Sequence, residues 1–255
     1  MSAGTYAPAP GAAPAARMVL RHARLELTGL LRNGEQLLLT LVIPTLLLVL
    51  FTTVEVVDLG PGSRVGFLVP GILALAVMST AFTAQAISTG FERRYGVLKR
   101  LGATPLPRWA LLTGKTLAVV AIEVGQLVLL VSVAVVLGWD PQRVSWLAVG
   151  VLLLLGTAAF SGLGLLMAGT LRAEATLALA NLVYLLLLLA GGIVVPLDRF
   201  PAAVRPALEL LPSTALADGL RTATSGGGLA TGPVLVLLAW AAVSLGAAAA
   251  TFRWE

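Results

Sequence analysis

The sequence predicts an all-α polytopic membrane protein with six transmembrane helices. Three observations support this fold class. Of the 255 residues, 58% are hydrophobic and 11% are charged, with a mean hydropathy of +0.96, whereas about a quarter of a soluble domain is charged. Runs of Leu, Val and Ala long enough to cross a bilayer recur along the chain. The charged residues lie mostly between these runs, where they can remain in water.

The composition also excludes several classes of function. The chain has no Cys, which excludes a disulfide framework, a Cys-ligated metal and thiol chemistry. Its single histidine, His22, lies outside the predicted spans, so we expect no metal site and no cofactor in this chain. The net charge of +5 is explained by basic cytoplasmic loops. We therefore expect a lipid bilayer, and not a nucleic acid, as the surrounding partner.

The N-terminal region divides into two parts before the membrane domain, which covers residues 34–255. Residues 1–16 are small, proline-rich and uncharged, which predicts a disordered tail. Residues 17–33 predict an amphipathic helix in the headgroup plane. This helix could be a simple membrane anchor or a connecting helix that contacts a cytoplasmic partner. Its apolar arc comprises Val19, Leu20, Ala23, Leu27, Leu30 and Leu31, and its opposite arc Arg17, Arg21, Arg24 and Arg32.

The first two spans are expected over residues 36–54 and 65–89. Pro44 predicts a kink in the first span, and Pro70-Gly71 predicts a break near the start of the second. A polar loop, residues 55–64, joins them on the external side. Gln85, near the end of the second span, is a candidate residue of a substrate pathway.

The most densely charged segment of the chain, residues 91–115, follows the second span. At 100° per residue, a helix over 91–101 would place four apolar residues on one arc and four charged residues on another. Gly102, Pro105 and Pro107 would end it. The segment is either a short amphipathic helix at the membrane surface or a solvated basic loop. The apolar arc is Phe91, Tyr95, Leu98 and Leu101, and the charged arc is Glu92, Arg93, Lys99 and Arg100.

The remaining four spans are expected over 109–137, 144–168, 176–195 and 233–251. Glu123 and Gln126 lie on one side of the third span, and an ionised Glu there must face protein or water. Glu123 could contact substrate, handle protons or make a structural hydrogen bond. In the fifth span, Asn181 and Tyr184 share a face that could line a pathway or form a dimer interface. Small residues of the fourth span predict close helix packing: Gly156, Ser161, Gly162, Gly164 and Ala168.

Two further segments complete the expected topology. Residues 196–221 are too polar and proline-rich to span, which predicts one or two short helices lying at the external interface. Residues 252–255 predict an interfacial anchor on the cytoplasmic side. With both termini cytoplasmic, twelve of the seventeen Lys and Arg residues lie inside.

The charged segment also resembles the intracellular loop of ABC permeases of the ABC-2 type, such as drug-resistance permeases. The similarity rests on Glu92, Arg94, Gly96, Leu98, Leu101, Thr104-Pro105, Arg108-Trp109 and Gly114-Lys115. A second similar segment follows the fifth span and comprises Gly192, Pro196, Pro201, Leu211-Pro212 and Asp218-Gly219-Leu220-Arg221.

This resemblance implies the membrane permease subunit of an ATP-driven exporter in a bacterial cell membrane. It implies a second permease subunit, expected to form a homodimer, and two ATPase subunits that hold ATP and Mg²⁺. The chain has no G-x-x-x-x-G-K-[ST] loop, so ATP chemistry would reside on that separate chain. The cargo would be a hydrophobic or amphipathic small molecule, a drug, antibiotic or lipid, moved by alternating access.

The resemblance further implies a coupling helix seated in a groove of the ATPase. Its polar rim would be Glu92, Arg93, Arg94, Lys99 and Arg100, with Gly96 among them, and its anchors Tyr95, Leu98 and Leu101. Two alternatives stay open at this point: a proton-coupled secondary transporter that uses Glu123, and export of a lipid-linked surface polysaccharide.

Overall fold

The computed structural model describes residues 13–54, 63–193 and 197–252. Within these residues the chain is helical and has no strand. The helices are α1 (Ala15–Arg32), α2 (Gly34–Thr53), α3 (Arg64–Val77), α4 (Gln85–Arg94), α5 (Val97–Gly102), α6 (Arg108–Val136), α7 (Trp146–Thr170), α8 (Ala173–Ala190), α9 (Arg205–Glu209), α10 (Pro212–Thr224) and α11 (Thr231–Thr251). A π-helical segment, Met78–Ala84, joins α3 to α4.

Six helices are long and apolar enough to cross a membrane, as the sequence predicts. They are α2, the continuous run of α3, π-segment and α4 (Arg64–Arg94), α6, α7, α8 and α11. The expected tail over 1–16 lies mostly outside the described residues, and α1 already begins at Ala15. The external loop over 55–62 and the last residues, 253–255, also lie outside them.

The second span forms the centre of the bundle. Its most apolar window is 83% buried, whereas the corresponding windows of α2, α8 and α11 are about one-fifth buried. Ile72, Leu75, Met78 and Phe82 are fully enclosed. A helix that is apolar on all sides can be buried in this way. The other spans surround it and present apolar faces outward, as lipid or a second subunit requires.

The predicted break at Pro70-Gly71 is wrong. Helix α3 continues through both residues, which are buried. Proline removes one backbone hydrogen bond, but packing against the surrounding helices can keep the helix continuous at this point. Gly71 is needed for packing, because a Cβ there would lie 2.4 Å from the carbonyl oxygen of Ile193. The departure from α-helical geometry in this span is instead the π-helical segment, Met78–Ala84.

Helices α7 and α11 pack closely through the small residues of the fourth span, as predicted. A Cβ on Gly162 would lie 2.1 Å from Oγ of Ser244. The Ser244 hydroxyl donates a hydrogen bond to the carbonyl of Ala159 at 3.0 Å. Small side chains therefore let the two backbones approach, and a hydroxyl joins them.

Helix α10 is buried, which corrects the prediction of interface helices for residues 212–221, whereas α9, in the same predicted segment, has no buried residue. Ten of the thirteen residues of α10 are buried, against α3, α7 and α11. Arg221 makes three kinds of contact. Its Nη1 lies 2.7 Å from Oδ1 of Asp218, and its Nη2 donates to the carbonyl of Ile193 at 3.2 Å. Its guanidinium also lies 4.4 Å from the ring centroid of Phe67. These partners explain how a charged helix can be enclosed.

The ends of two spans also differ from expectation. The fifth span, α8, ends at Ala190 rather than at 195, where Gly191 and Gly192 turn the chain. Phe252, expected in an interfacial anchor, is 1% exposed and lies in an apolar cluster beneath α5. Complete burial removes more of the apolar surface of an aromatic ring from water than an interfacial position does, so the buried position is more stable.

Candidate functional site

The charged segment after the second span forms two helices rather than one. Helix α4 ends at Arg94, and Gly96 has φ of +72° before α5 begins at Val97. Glycine adopts this left-handed conformation without steric cost. The predicted continuous helix from Phe91 to Leu101 is therefore wrong. Phe91 belongs to the end of the second span, where its ring stacks with that of Tyr95 at a centroid distance of 6.1 Å.

The inner face of α5 rests on an apolar cluster of this chain. Leu98 is 0% exposed and packs with five other buried residues, and Leu101 lies partly buried against the same cluster. The side chain of Leu98 therefore faces into its own chain, which corrects its role as an anchor in a partner's groove. The other five are Leu111, Leu112, Leu165, Ala248 and Phe252.

The outer face of α5 and the preceding turn are exposed. The Tyr95 side chain is 68% exposed and that of Val97 is 40% exposed. Lys99 and Arg100 are exposed beside them, and Trp109, in the first turn of α6, is also exposed. Aromatic, aliphatic and basic groups thus form one accessible patch, which we call the α5 cap: Tyr95, Val97, Lys99 and Arg100.

A buried ionic cluster lies behind the α5 cap and joins three helices. Nζ of Lys115, on α6, lies 2.9 Å from Oε1 of Glu26 on α1 and 2.7 Å from Oε2 of Glu92 on α4. The Lys115 side chain is 3% exposed. A lysine so enclosed requires carboxylate partners. Glu92 therefore contacts its own chain, and the cluster links α1 and α4 to the third span.

His22 extends this cluster along α1. Its Nε2 lies 3.3 Å from Oε1 of Glu26, but the angle is not that of a hydrogen bond. Burial lowers the pKa of His22; the Glu26 carboxylate raises it and Lys115 lowers it further, so the imidazole is neutral at neutral pH. Gly114 makes room for the ring, because a Cβ there would lie 2.6 Å from Cδ2 of His22. This contact explains why a glycine precedes Lys115.

Two arginines connect the end of α4 to the turn between α7 and α8. Arg93 donates to the carbonyl oxygen of Leu171, and the guanidinium of Arg94 pairs with the carboxylate of Glu174. Both side chains thus reach residues of their own chain. Together with Glu92, they attach the last turn of the second span to the helices on either side.

The predicted pathway residues separate into two groups. Gln126 and Gln85 belong to polar contacts between spans. Nε2 of Gln126 donates to the carbonyl of Thr40 at 2.7 Å, and its Oε1 accepts from Thr80 at 3.1 Å. Oε1 of Gln85 accepts from Ser161 at 2.7 Å. Glu123 accepts a hydrogen bond from Thr157 of the fourth span. These buried groups fix helix positions.

Asn181 and Tyr184 are not in those contacts. Asn181 is exposed, donates to the carbonyl of Leu177 at 2.9 Å, and lines a cavity of about 400 Å³ beside α2 and the π-segment. Tyr184 is partly buried against the core. Gln36, Thr40 and Ser88 line the same cavity as Asn181. The structure therefore brings Asn181, but not Tyr184, to a polar cleft on the side of the bundle.

Sequence reasoning missed that His22, Glu26 and Lys115 lie together in the ionic cluster. A signal was present, since His22 and Glu26 are four residues apart and share one face of α1. The single buried lysine of a span also requires an acidic partner. Neither signal identifies which helix supplies that partner, because the contact crosses 89 positions in the sequence between Glu26 and Lys115.

Comparison with known proteins gives two findings. A family model described as "ABC-2 type transporter" matches residues 22–225. A protein of Bacillus subtilis (strain 168) named "Putative transport permease YvfS" is 25% identical over 218 residues, which cover 84% of this chain and 89% of that protein. The matched region includes the α5 cap, the ionic cluster and five of the six spans.

Proposed function

This chain belongs to the ABC-2 type transporter family, and from that premise we propose that it is the permease subunit of an ATP-driven exporter. It is a multi-pass membrane protein and a transport component rather than an enzyme. The family implies an ABC ATPase partner.

The observation that carries the proposal is the two-sided character of α5. The α5 cap, on its outer face and the preceding turn, is accessible and includes Tyr95 and Arg100, and tyrosine and arginine are residue types that dominate interfaces. The inner face of α5, through Leu98, is fixed to α6, α7 and α11. A partner that pushes on the α5 cap therefore moves packed helices, since closely packed interiors transmit displacement.

The ionic cluster gives this displacement a second route. Lys115 joins the end of α4 to α1 through Glu92 and Glu26. Helix α1 is then a connecting helix that moves with α5, rather than a membrane anchor alone. We assign Glu92, Arg93 and Arg94 to intrachain transmission, and Tyr95, Lys99 and Arg100 to contact with the ATPase. Gly96 permits the turn between them.

The subunit composition follows from the same scheme. Two ATPase subunits, holding ATP and Mg²⁺, act on two copies of this permease. The apolar outward faces of α2 and α8 are available to lipid or to a second copy. ATP-driven closure of the ATPases shifts a cavity between inward and outward access. The α5 cap, α1 and both termini lie on the cytoplasmic side, consistent with the basic residues there.

The cargo we propose is a hydrophobic or amphipathic small molecule, such as a drug, an antibiotic or a lipid. The cleft lined by Asn181, Gln36 and Thr40 offers apolar and polar groups together, and its volume of about 400 Å³ suits such a molecule. Thr157 donates a hydrogen bond to one carboxylate oxygen of Glu123, and the other oxygen, Oε1, is buried without a partner among the described residues, so a proton-coupled transporter that uses Glu123 is the alternative function. A lipid-linked polysaccharide would use the same ATPase contact.

The test is reconstitution of the chain with its ABC ATPase in proteoliposomes. We expect ATP-dependent accumulation of an amphipathic dye, with lower transport and lower ATP hydrolysis coupled to it in Arg100→Glu. Arg143→Glu, a matched exposed arginine between α6 and α7, should behave as wild type. A correctly inserted chain that binds no ATPase, and whose transport ignores ATP, would end the proposal.

A further inference from the structure

A cavity of about 370 Å³ lies between the last turn of α4 and the start of α8. Three of its six lining residues are arginines; the lining is Gly90, Arg93, Arg94, Arg172, Ala173 and Glu174. Neither the family match nor the proposed ATPase contact assigns a role to this cavity. It lies beside α4, where Arg93 and Arg94 hold the turn after α7.

The charge of the lining is strongly positive. Three arginines face one glutamate, which gives a net charge of +2. That glutamate, Glu174, is already paired with Arg94. The exposed guanidinium of Arg172 has no ion pair with any residue in the described part of the chain. The cavity therefore favours an anion with several acceptor oxygens.

The backbone adds to this preference. Helix α8 begins at Ala173, and no side chain caps its first turn. The first N–H groups of a helix lack intrahelical partners, and the helix dipole places partial positive charge there. Ala173 lines the cavity, so this helix end and the arginines lie together.

The position of the cavity indicates what kind of anion is at hand. The second span ends at Arg94, α7 ends at Thr170 and α8 begins at Ala173. Two spans thus finish and a third starts at the level of the cavity, where hydrocarbon gives way to the headgroup region. Basic pockets between spans at this level suit phosphate headgroups. A planar guanidinium binds a phosphate through two parallel hydrogen bonds.

We infer that this cavity binds a phosphate group, supplied by the headgroup of an anionic phospholipid, between Arg93, Arg94 and Arg172. The bound headgroup joins α4 to α8 beside the α5 cap. The inference rests on the cavity and its charges, and not on the identity of the exported cargo.

The test uses the full chain in nanodiscs that contain phosphatidylcholine with or without phosphatidylglycerol. Native mass spectrometry after mild delipidation counts the lipids that stay bound. We expect retained phosphatidylglycerol, and about fivefold weaker retention in Arg172→Gln, since a basic residue near the surface contributes about a fivefold factor. Arg172→Lys should fall between the two, because it keeps the charge and loses the bidentate geometry.

One control separates the site from general positive charge, and a second tests whether the fold is intact. Arg143→Gln removes an exposed arginine at the opposite end of the bundle and should retain phosphatidylglycerol as wild type does. Unchanged thermal unfolding of Arg172→Gln shows that the fold is intact. Inorganic phosphate, titrated into lipid-free protein, distinguishes a free anion from a headgroup: binding that Arg172→Gln weakens would support the phosphate site with a soluble source.

Two results would overturn the inference. Equal retention of phosphatidylglycerol by wild type and Arg172→Gln, with no phosphate binding, would show that the cavity is not a phosphate site. Loss of ATPase binding in Arg172→Gln, with lipid retention unchanged, would instead assign these arginines to an acidic surface of the partner protein.

Discussion

Replacement of Lys115 by Met tests the ionic cluster most sharply. The substitution preserves most of the side-chain volume but leaves Glu26 and Glu92 close to each other without their shared cation. Removing one partner of a buried ion pair costs about 3–5 kcal/mol. The two carboxylates keep 17% and 25% exposure, so some water reaches them and the lower end applies. At about 2–4 °C per kcal/mol for a chain of this size, the unfolding midpoint should fall by roughly 6–12 °C.

The assay is thermal unfolding in detergent, followed by intrinsic tryptophan fluorescence. Lys99→Met is the matched control, because it removes an exposed lysine on α5 and should change stability by less than about 0.5 kcal/mol. The triple variant Lys115→Met, Glu26→Gln, Glu92→Gln removes all three charges and should regain more than half of the loss. The reasoning is refuted if Lys115→Met unfolds at the wild-type temperature, or if the triple variant is no more stable than the single one.

Three further predictions concern neighbouring residues. Gly114→Ala should destabilise the protein by about 1–3 kcal/mol, because its Cβ meets His22 at 2.6 Å, whereas Gly125→Ala, with open space around it, should not; thermal unfolding compares the two. Burial lowers the pKa of His22, so the unfolded state takes up the proton first as pH falls; stability present above pH about 6.5 should decline below it, and His22→Gln should flatten that slope. Glu123→Gln should leave ATP-driven transport intact, since its hydrogen bond with Thr157 can persist; transport abolished by this change would favour proton coupling.

The six spans could be predicted from the sequence because hydrocarbon imposes length and composition on each segment independently. Their expected bounds agree with the structure within a few residues for α2, α6, α7 and α11. The π-segment Met78–Ala84 was missed, since no local composition marks it. The break expected at Pro70-Gly71 was wrong because packing from other spans determines the backbone there.

The candidate site was predictable in position but not in contacts. Charge density and the family-like spacing located the segment around α5, yet a single helical period wrongly joined Phe91 to Leu101. The left-handed Gly96 and the burial of Leu98 depend on tertiary structure, which helical periodicity does not report. The pairing of Lys115 with Glu26 and Glu92 joins distant parts of the chain, so no local pattern could reveal it.

The α5 cap as the contact for the ATPase is the central claim, and site-specific crosslinking tests it directly. The chain has no cysteine, so Arg100→Cys introduces a single thiol on the cap and Gln142→Cys a single exposed thiol in the turn between α6 and α7. Each variant is expressed with the ABC ATPase and treated with a short bifunctional thiol reagent carrying a photoreactive group. We predict a permease–ATPase product from Arg100→Cys, with a yield that changes on ATP addition, and none from Gln142→Cys. A product from Gln142→Cys alone would contradict the account.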